Sequence, residues 1–206
     1  MSETKSLGLI HLSNVRASYL YCFEPFVARP TAQNPNPKPV FTCHFLMAPN
    51  HPDLARVAAT IEAVGSAKQW KGGAQWAGVK EGLKGQDKLC LHRGDISKAG
   101  QPEYAGLFYI SGNNQRRFTV VDADRTPLTA KDGKPYSGCY VNAIIDIYAQ
   151  DNDFGKRINA TITGIQFVRH GDSFGGGAAP AAPEEFGVVA GSADMAAPAS
   201  VGSDLI

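Results

Sequence analysis

Three stretches of the chain set cationic side chains beside aromatic rings at short intervals. They are Lys68, Trp70, Lys71, Trp76 and Lys80; then Tyr104, Tyr109, Arg116, Arg117 and Phe118; then Lys131, Lys134, Tyr136 and Tyr140. Ammonium and guanidinium groups neutralise phosphates, and aromatic faces stack on unpaired bases at roughly 1–3 kcal/mol per base. The interleaving is therefore the chemistry of holding a single strand of nucleic acid. Each stretch also has a plainer reading, because Tyr and Trp are amphipathic and commonly half-buried in a core. Arg116-Arg117 beside Asn113-Asn114 equally suits a solvated turn. The three stretches together favour binding.

Reactive chemistry has less support. The patterns GxxxxGK[ST], GxGxxG and HExxH are absent, which leaves nucleotide hydrolysis, dinucleotide redox chemistry and zinc proteolysis without a motif. No serine nucleophile is assigned either. Asp87, Asp95, Asp122 and Asp124 could meet at a magnesium ion as in nucleases, but they follow no ligand spacing, and solvated loop carboxylates account for them. Cys43-His44 and Cys90-Leu91-His92 could supply ligands from two strands. The four cysteines form no CxxC pair, so buried, reduced packing thiols are expected, with no metal and no cofactor.

Charge is distributed unevenly. Residues 1–171 carry all 20 basic side chains against 14 acidic ones, a balance of +6, whereas residues 172–206 carry five acids and no base. A basic body with an acidic extension points to a polyanionic partner, and the extension can compete for the same groove. The segment from Gly171 onward is dominated by Gly, Ala, Pro and Ser and is expected to be disordered, with Phe174 and Glu184-Glu185-Phe186 as local docking points. There is no apolar run of membrane-spanning length and no signal peptide, so a soluble, cytoplasmic protein is expected.

The elements that must position these residues are mostly strands. Phe41, Cys43, Phe45 and Met47 alternate with Thr42, His44 and Leu46, the period of a strand with one buried face. The preceding loop, residues 29–39, has four prolines. Gly8 to Cys22 reads as a long first strand with a bulge. Further strands are expected at Lys88–His92, Tyr104–Ser111, Phe118–Asp122, Gly138–Ala149 and Arg157–Arg169. Asp132-Gly133 signals a tight turn between the last two hairpin arms. Asn50-His51-Pro52-Asp53 opens a helix, Leu54, Val57, Ala58, Ile61 and Val64 give it an apolar face, and Gly65 is its expected stop. Residues 66–85 are expected to be mobile, with a short helix near Trp76 to Leu83. In Gly138 to Ala149, Val141, Ile145 and Ile147 share the apolar face, which turns Tyr140 outward as a stacking candidate.

Five or more strands with one principal helix suit an OB-type Greek-key barrel, with a two-sheet sandwich as the alternative. Four stretches then resemble, in order, a family of phage and prophage proteins long catalogued as a domain of unknown function. They are Pro102-Glu103-Tyr104-Ala105-Gly106, Tyr136-Ser137-Gly138-Cys139-Tyr140-Val141-Asn142, Gly164-Ile165-Gln166-Phe167-Val168, and His170-Gly171-Asp172-Ser173-Phe174-Gly175-Gly176-Gly177. The Tyr-Ser-Gly-Cys block and the glycine run are the most specific. That family includes OB-fold single-stranded-DNA-binding proteins. The resemblance implies protection of single strands in phage replication, recombination and repair, without catalytic residues.

The expected organisation is an OB-type domain over residues 1–171 and an acidic tail over 172–206. Lys68, Trp70, Lys71, Trp76, Lys80, Tyr109, Arg116, Arg117, Lys134, Tyr136 and Tyr140 are the expected DNA contacts. Asp204, Leu205 and Ile206 are the expected docking point for replication or recombination proteins, and a homodimer is compatible with the reading. The rivals are a metal-dependent nuclease acting on single-stranded or branched DNA and a phage structural or assembly protein.

Overall fold

The computed structural model describes residues 6–174 with the exception of Gln33. Strand β1 (Leu9–Phe26) is long enough to serve two neighbours. Its first half pairs antiparallel with β6 (Tyr140–Asn152) and its second half with β2 (Val40–Met47). The expected bulge is real. Register slips between Leu12 and Val15, where Asn14 takes φ 51° and its amide donates to Asn142 Oδ1 at 2.9 Å. A bulge bends its strand and strengthens the local twist, as a barrel corner requires.

β2 pairs with β4 (Phe108–Asn114), and β6 forms a long hairpin with β7 (Gly155–Arg169). The barrel closes where β4 meets β7 in parallel, Gly112 opposite Ala160 and Asn113 opposite Thr161. Gly112 is needed at this seam, since a Cβ there would come within 2.7 Å of the Ile162 side chain. The five strands β1, β2, β4, β7 and β6 thus form a closed OB-type barrel. Two short strands extend it, β3 (Leu91–Arg93) beside β4 and β5 (Thr119–Val121) parallel to β7.

Alternation fills the interior. Leu12, Val15, Phe45, Met47, Ile110, Val141, Ile145, Ile147, Ile158, Ile162 and Ile165 are all buried. Each such side chain contributes roughly 1.5–3 kcal/mol relative to exposure. Cys22, Cys43, Cys90 and Cys139 are free and buried among them, and burial raises their thiol pKa values, to about 12 for Cys22 and Cys90.

Helix α1 (Pro52–Ala67) packs on β1 and β6. Asp53 in its first turn is 3% exposed, accepts from the Ser13 amide at 2.8 Å, and receives Arg56 Nη1 at 2.6 Å. One carboxylate thereby satisfies the bulge of β1 and anchors the helix. Helix α2 (Trp76–Gly85) forms where a short helix was expected, while α3 (Gly94–Ser97) is a single turn after β3.

Three local expectations change. Gly65 does not end α1, which continues to Ala67; its bare backbone instead receives Trp76, and a Cβ there would lie 2.3 Å from the indole. Tyr104 is not in a strand: Pro102 starts a 3-10 turn over Pro102–Tyr104, and β4 begins at Phe108. Asp132-Gly133 does end a turn, with Gly133 at φ 64°, but the turn lies between β5 and β6. The β6–β7 hairpin turns instead at Asn152 to Gly155.

Candidate nucleic-acid interface

Residues directly opposed in a ladder put their side chains on one face of the sheet, so the register sorts the outer wall of the barrel into rows. Arg16, Leu46, Tyr109 and His92 form one row across β1, β2, β4 and β3. Ser18, His44 and Ser111 form the next, and Tyr21, Thr42, Asn113 and Thr161 a third. This wall, made by the second and third strands of the barrel with β1 beside them, is the one on which OB folds bind oligonucleotides.

Part of it is closed by its own rings. His44 stacks on Tyr109 at 4.8 Å, Tyr109 stacks on His92 at 4.8 Å, and Tyr19 tilts against His44 at 5.1 Å. Tyr104, fully buried, sets its hydroxyl 2.8 Å from His44 Nδ1 and 2.9 Å from Ser18 Oγ. Burial, assisted by the charges of Lys98 and His92, lowers the His44 pKa from 6.5 to about 3, so its imidazole is neutral. Burial likewise raises the hydroxyl pKa values of Tyr104 and Tyr109.

The open part lies along β1. Tyr19, Tyr21 and Phe26 are 39%, 38% and 41% exposed, and the rings of Tyr21 and Phe26 are 5.1 Å apart. Lys98 Nζ lies 4.7 Å above the Tyr19 ring, whose hydroxyl donates to Gln101 Oε1 at 3.1 Å. Tyr19 adopts φ 46°, an outlier for a bulky residue, and such conformations cluster at functional sites. Arg117 flanks the strip, 5.8 Å from the Phe23 ring. Phe154, at the tip of the β6–β7 hairpin, is 84% exposed. Sequence reasoning misses all four rings. The available signal is the alternation of Tyr19 and Tyr21 with Leu20 and Cys22, ahead of the proline-rich loop.

The expected contacts fall in three places. Lys68, Trp70 and Trp76 line one shallow cleft, but Trp70 is 5% exposed, stacks on Trp76 at 5.7 Å and donates its indole N–H to the Gly65 carbonyl. Trp70 is therefore a core residue. Trp76 is half-buried and donates to Glu62 at 2.8 Å, and Glu62 also pairs with Lys80. Lys71 is exposed, 3.6 Å from Asp153. Tyr109 is buried in the ring column, and Phe118 joins the core. Arg116 and Arg117 are exposed after β4.

Lys134, Tyr136 and Tyr140 gather at the far end of the β6–β7 ladder. Lys134 pairs with Asp122 at 2.6 Å, and the Tyr136 hydroxyl donates to the Gly171 carbonyl at 2.9 Å. Tyr140 carries the Arg169 guanidinium 3.3 Å above its ring. Lys71, by contrast, sits at the Asp151 end of the same ladder. The first and third stretches are thus separated by nearly the full length of β6, up to about 40 Å at the rise of an extended strand. Asp204, Leu205 and Ile206, with the rest of the tail beyond Phe174, lie outside the described residues.

The four acids do not converge. Asp122 holds Lys134, Asp124 accepts from the Thr126 amide, Asp95 from the Gly106 amide, and Asp87 meets His92. Among the described residues no three His, Cys, Asp or Glu side chains are grouped to hold a metal ion. Asp87, His92 and Ser111 do form a chain, 2.7 Å and 3.1 Å between links. An acyl-transfer site also needs amide donors aimed at the developing oxyanion. Ser111 sits mid-strand with its own amide committed to the Cys90 carbonyl, and the chain holds His92 against Tyr109 in the ring column. The pattern GxSxG occurs at Gly171-Asp172-Ser173-Phe174-Gly175, and sequence reasoning overlooks it. A nucleophile elbow sits on a sharp strand-to-helix turn; Gly171 to Phe174 instead leave the end of β7 and lie against β1 and Ser137.

A closed five-stranded barrel with an aromatic and cationic outer wall defines an OB-type oligonucleotide-binding module. Comparison with known proteins gives the family. The model described as Enterobacter phage Enc34, ssDNA-binding protein, matches residues 9–196, and the chain belongs to that family. A putative protein p50 from Acyrthosiphon pisum secondary endosymbiont phage 1 is 36% identical over 184 residues, covering 86% of this chain and 91% of that protein. The single-stranded DNA-binding protein from bacteriophage Enc34 in complex with ssDNA superposes with a TM-score of 0.67 at 25% identity, covering 82% of this chain and 90% of that one. A C-terminal truncation of the same phage protein gives 0.62 at 25% identity, covering 81% and 87%.

Proposed function

We propose that the protein binds single-stranded DNA with little regard to sequence and protects it during phage replication, recombination and repair in the host cytoplasm. Bases stack on Tyr19, Tyr21 and Phe26. Phosphates meet Lys98, Arg116 and Arg117. Partner replication or recombination proteins would engage the acidic tail. The observation that carries the reading is the exposed aromatic row on the outer wall of an OB barrel, in a chain whose family is defined by a single-stranded-DNA-binding protein. No step in this function needs a reacting group, because stacking and charge neutralisation hold the strand without changing it.

The test is an anisotropy titration with a labelled oligothymidylate, a duplex and an RNA of equal length, repeated at several salt concentrations. Three to five phosphate contacts predict a logarithmic salt slope of about −2 to −3.5. Incubation with magnesium should leave the strand intact. Equal affinity for duplex and single strand, or a slope near zero, would overturn the reading.

A further inference from the structure

After β7 the chain does not leave the barrel directly. Residues Gly171 to Phe174 fold back across β1, and Gly138 makes room for them: at φ 111°, a Cβ there would sit 2.0 Å from the Asp172 carbonyl. The Phe174 amide donates to the Ser137 carbonyl at 3.0 Å. Arg16 then grips the segment. Its Nη2 donates to the Asp172 carbonyl at 3.0 Å and lies 3.7 Å from the Asp172 carboxylate, while its guanidinium carbon is 4.2 Å from the centre of the Phe174 ring. Phe174 also borders a cleft of about 410 Å³ that includes Tyr19, Tyr21, Glu103 and Ser137.

The position of this contact matters. Arg16 is flanked on one side, along β1, by the exposed rings of Tyr19 and Tyr21, and on the other, across β6 and β7, by Tyr140 and Arg169. Arg169 has no carboxylate within ion-pair distance among the described residues, and its guanidinium lies on the Tyr140 ring. A cationic and aromatic track thus runs from Tyr21 past Arg16 to Arg169, and Asp172 and Phe174 cover it at Arg16. An anion and a ring set together on one arginine present the same two groups as a nucleotide.

On the binding function proposed above, we infer that Arg16, Tyr140 and Arg169 form a further nucleotide subsite, which Asp172 and Phe174 occupy in the free protein and yield to the strand. The phosphate takes the place of the Asp172 carboxylate on Arg16, and a base takes the place of the Phe174 ring. The cover is held by the Phe174 ring and two backbone hydrogen bonds, and only weakly by its charge. Asp172 is fully exposed, and an exposed ion pair contributes little to holding it in place. A cover that must open before binding weakens apparent affinity by the fraction of time the site is free, so removing it tightens binding.

The experiment uses the full chain and oligothymidylate long enough to span the track. The double variant D172N/F174A should bind more tightly by roughly 3- to 10-fold, and D172N alone should give a smaller gain, because the exposed ion pair contributes little. R16A should bind more weakly, and R16A/F174A should show no gain over R16A. Because Phe174 also packs beside Leu46, Tyr104 and Tyr109, F174A can cost stability, and D172N keeps that packing intact. A direct readout is a trifluoromethyl-phenylalanine incorporated at position 174 alone: its fluorine resonance should move to the solvent-exposed value on saturation with the strand. An unmoved resonance in the saturated complex, or unchanged or weaker binding by D172N and the double variant, overturns the subsite. Absence of binding by the wild-type protein would instead remove the function on which it rests.

Discussion

Trp70 and Tyr19 show how differently two aromatic residues of one barrel can be placed. Trp70 stands in a stretch rich in lysine and glycine and looks free to stack; Tyr19 stands in an ordinary strand. In the fold the roles reverse. Trp70 has Trp76 on one face, the Gly65 carbonyl on its N–H, and 5% of its surface exposed, whereas Tyr19 keeps 39% exposed beside Lys98. What separates the two is the open surface left once each ring has met its neighbours, because Tyr19 also has His44 and Lys98 against its ring and its hydroxyl bonded to Gln101. Neighbouring lysines do not decide that.

The largest effect expected from this contrast is on stability. Trp70→Ala removes a buried indole from between α1 and α2, and should cost about 3–5 kcal/mol in denaturant unfolding. The remaining folded fraction should bind single strands with unchanged affinity. A folded Trp70→Ala variant that binds poorly would break the contrast at its closed end.

Acid should also reach the closed rings. His44 titrates near 6.5 when unfolded and near 3 when folded, so below 6.5 the unfolded chain takes up a proton that the folded chain refuses. Its contribution to stability is complete above pH 6.5 and is lost progressively as pH falls toward 3. Unfolding free energy measured against pH should decline through this window, and the decline should flatten in a folded His44→Gln variant. An identical slope in both would mean that the histidine is not held neutral by the ring column.

At the open end, Tyr19→Ala, Tyr21→Ala and Phe26→Ala should each leave the thermal midpoint little changed and weaken single-strand binding. A stacked base is worth roughly 1–3 kcal/mol, and that is the loss expected where a ring is engaged. Trp76→Ala provides the sharpest contrast. A greater loss of affinity there than at Tyr19 would put the binding surface on the α1–α2 side. The smallest effects belong to single charges. Arg116→Ala and Arg117→Ala should each reduce the salt slope by about 0.7, whereas Lys80→Ala should not, because Glu62 already holds that ammonium.

Much of the architecture was legible along the chain. The alternation at Phe41 to Met47 and at Gly138 to Ala149 announced strands, and Asn50 to Asp53 announced the start of α1, because pleating and capping depend on near neighbours. Tyr140 was correctly turned outward by the same alternation. The Asp132-Gly133 turn was visible too, but its partners were not, since β5 pairs in parallel with β7 and leaves the hairpin to Asn152–Gly155.

The sequence by itself determined a β-rich chain with a basic body, an acidic extension and a set of motifs sufficient to place its family. Composition and spacing are enough for these, because they concern each residue and those beside it. Only the tertiary structure decided which rings are open. Tyr109 is enclosed by His44 from β2 and His92 from β3, and Phe174 reaches Arg16 from the opposite end of the chain. Such contacts are set by which strands close the barrel and in what register. A ring's availability is what remains after those distant partners have taken their places.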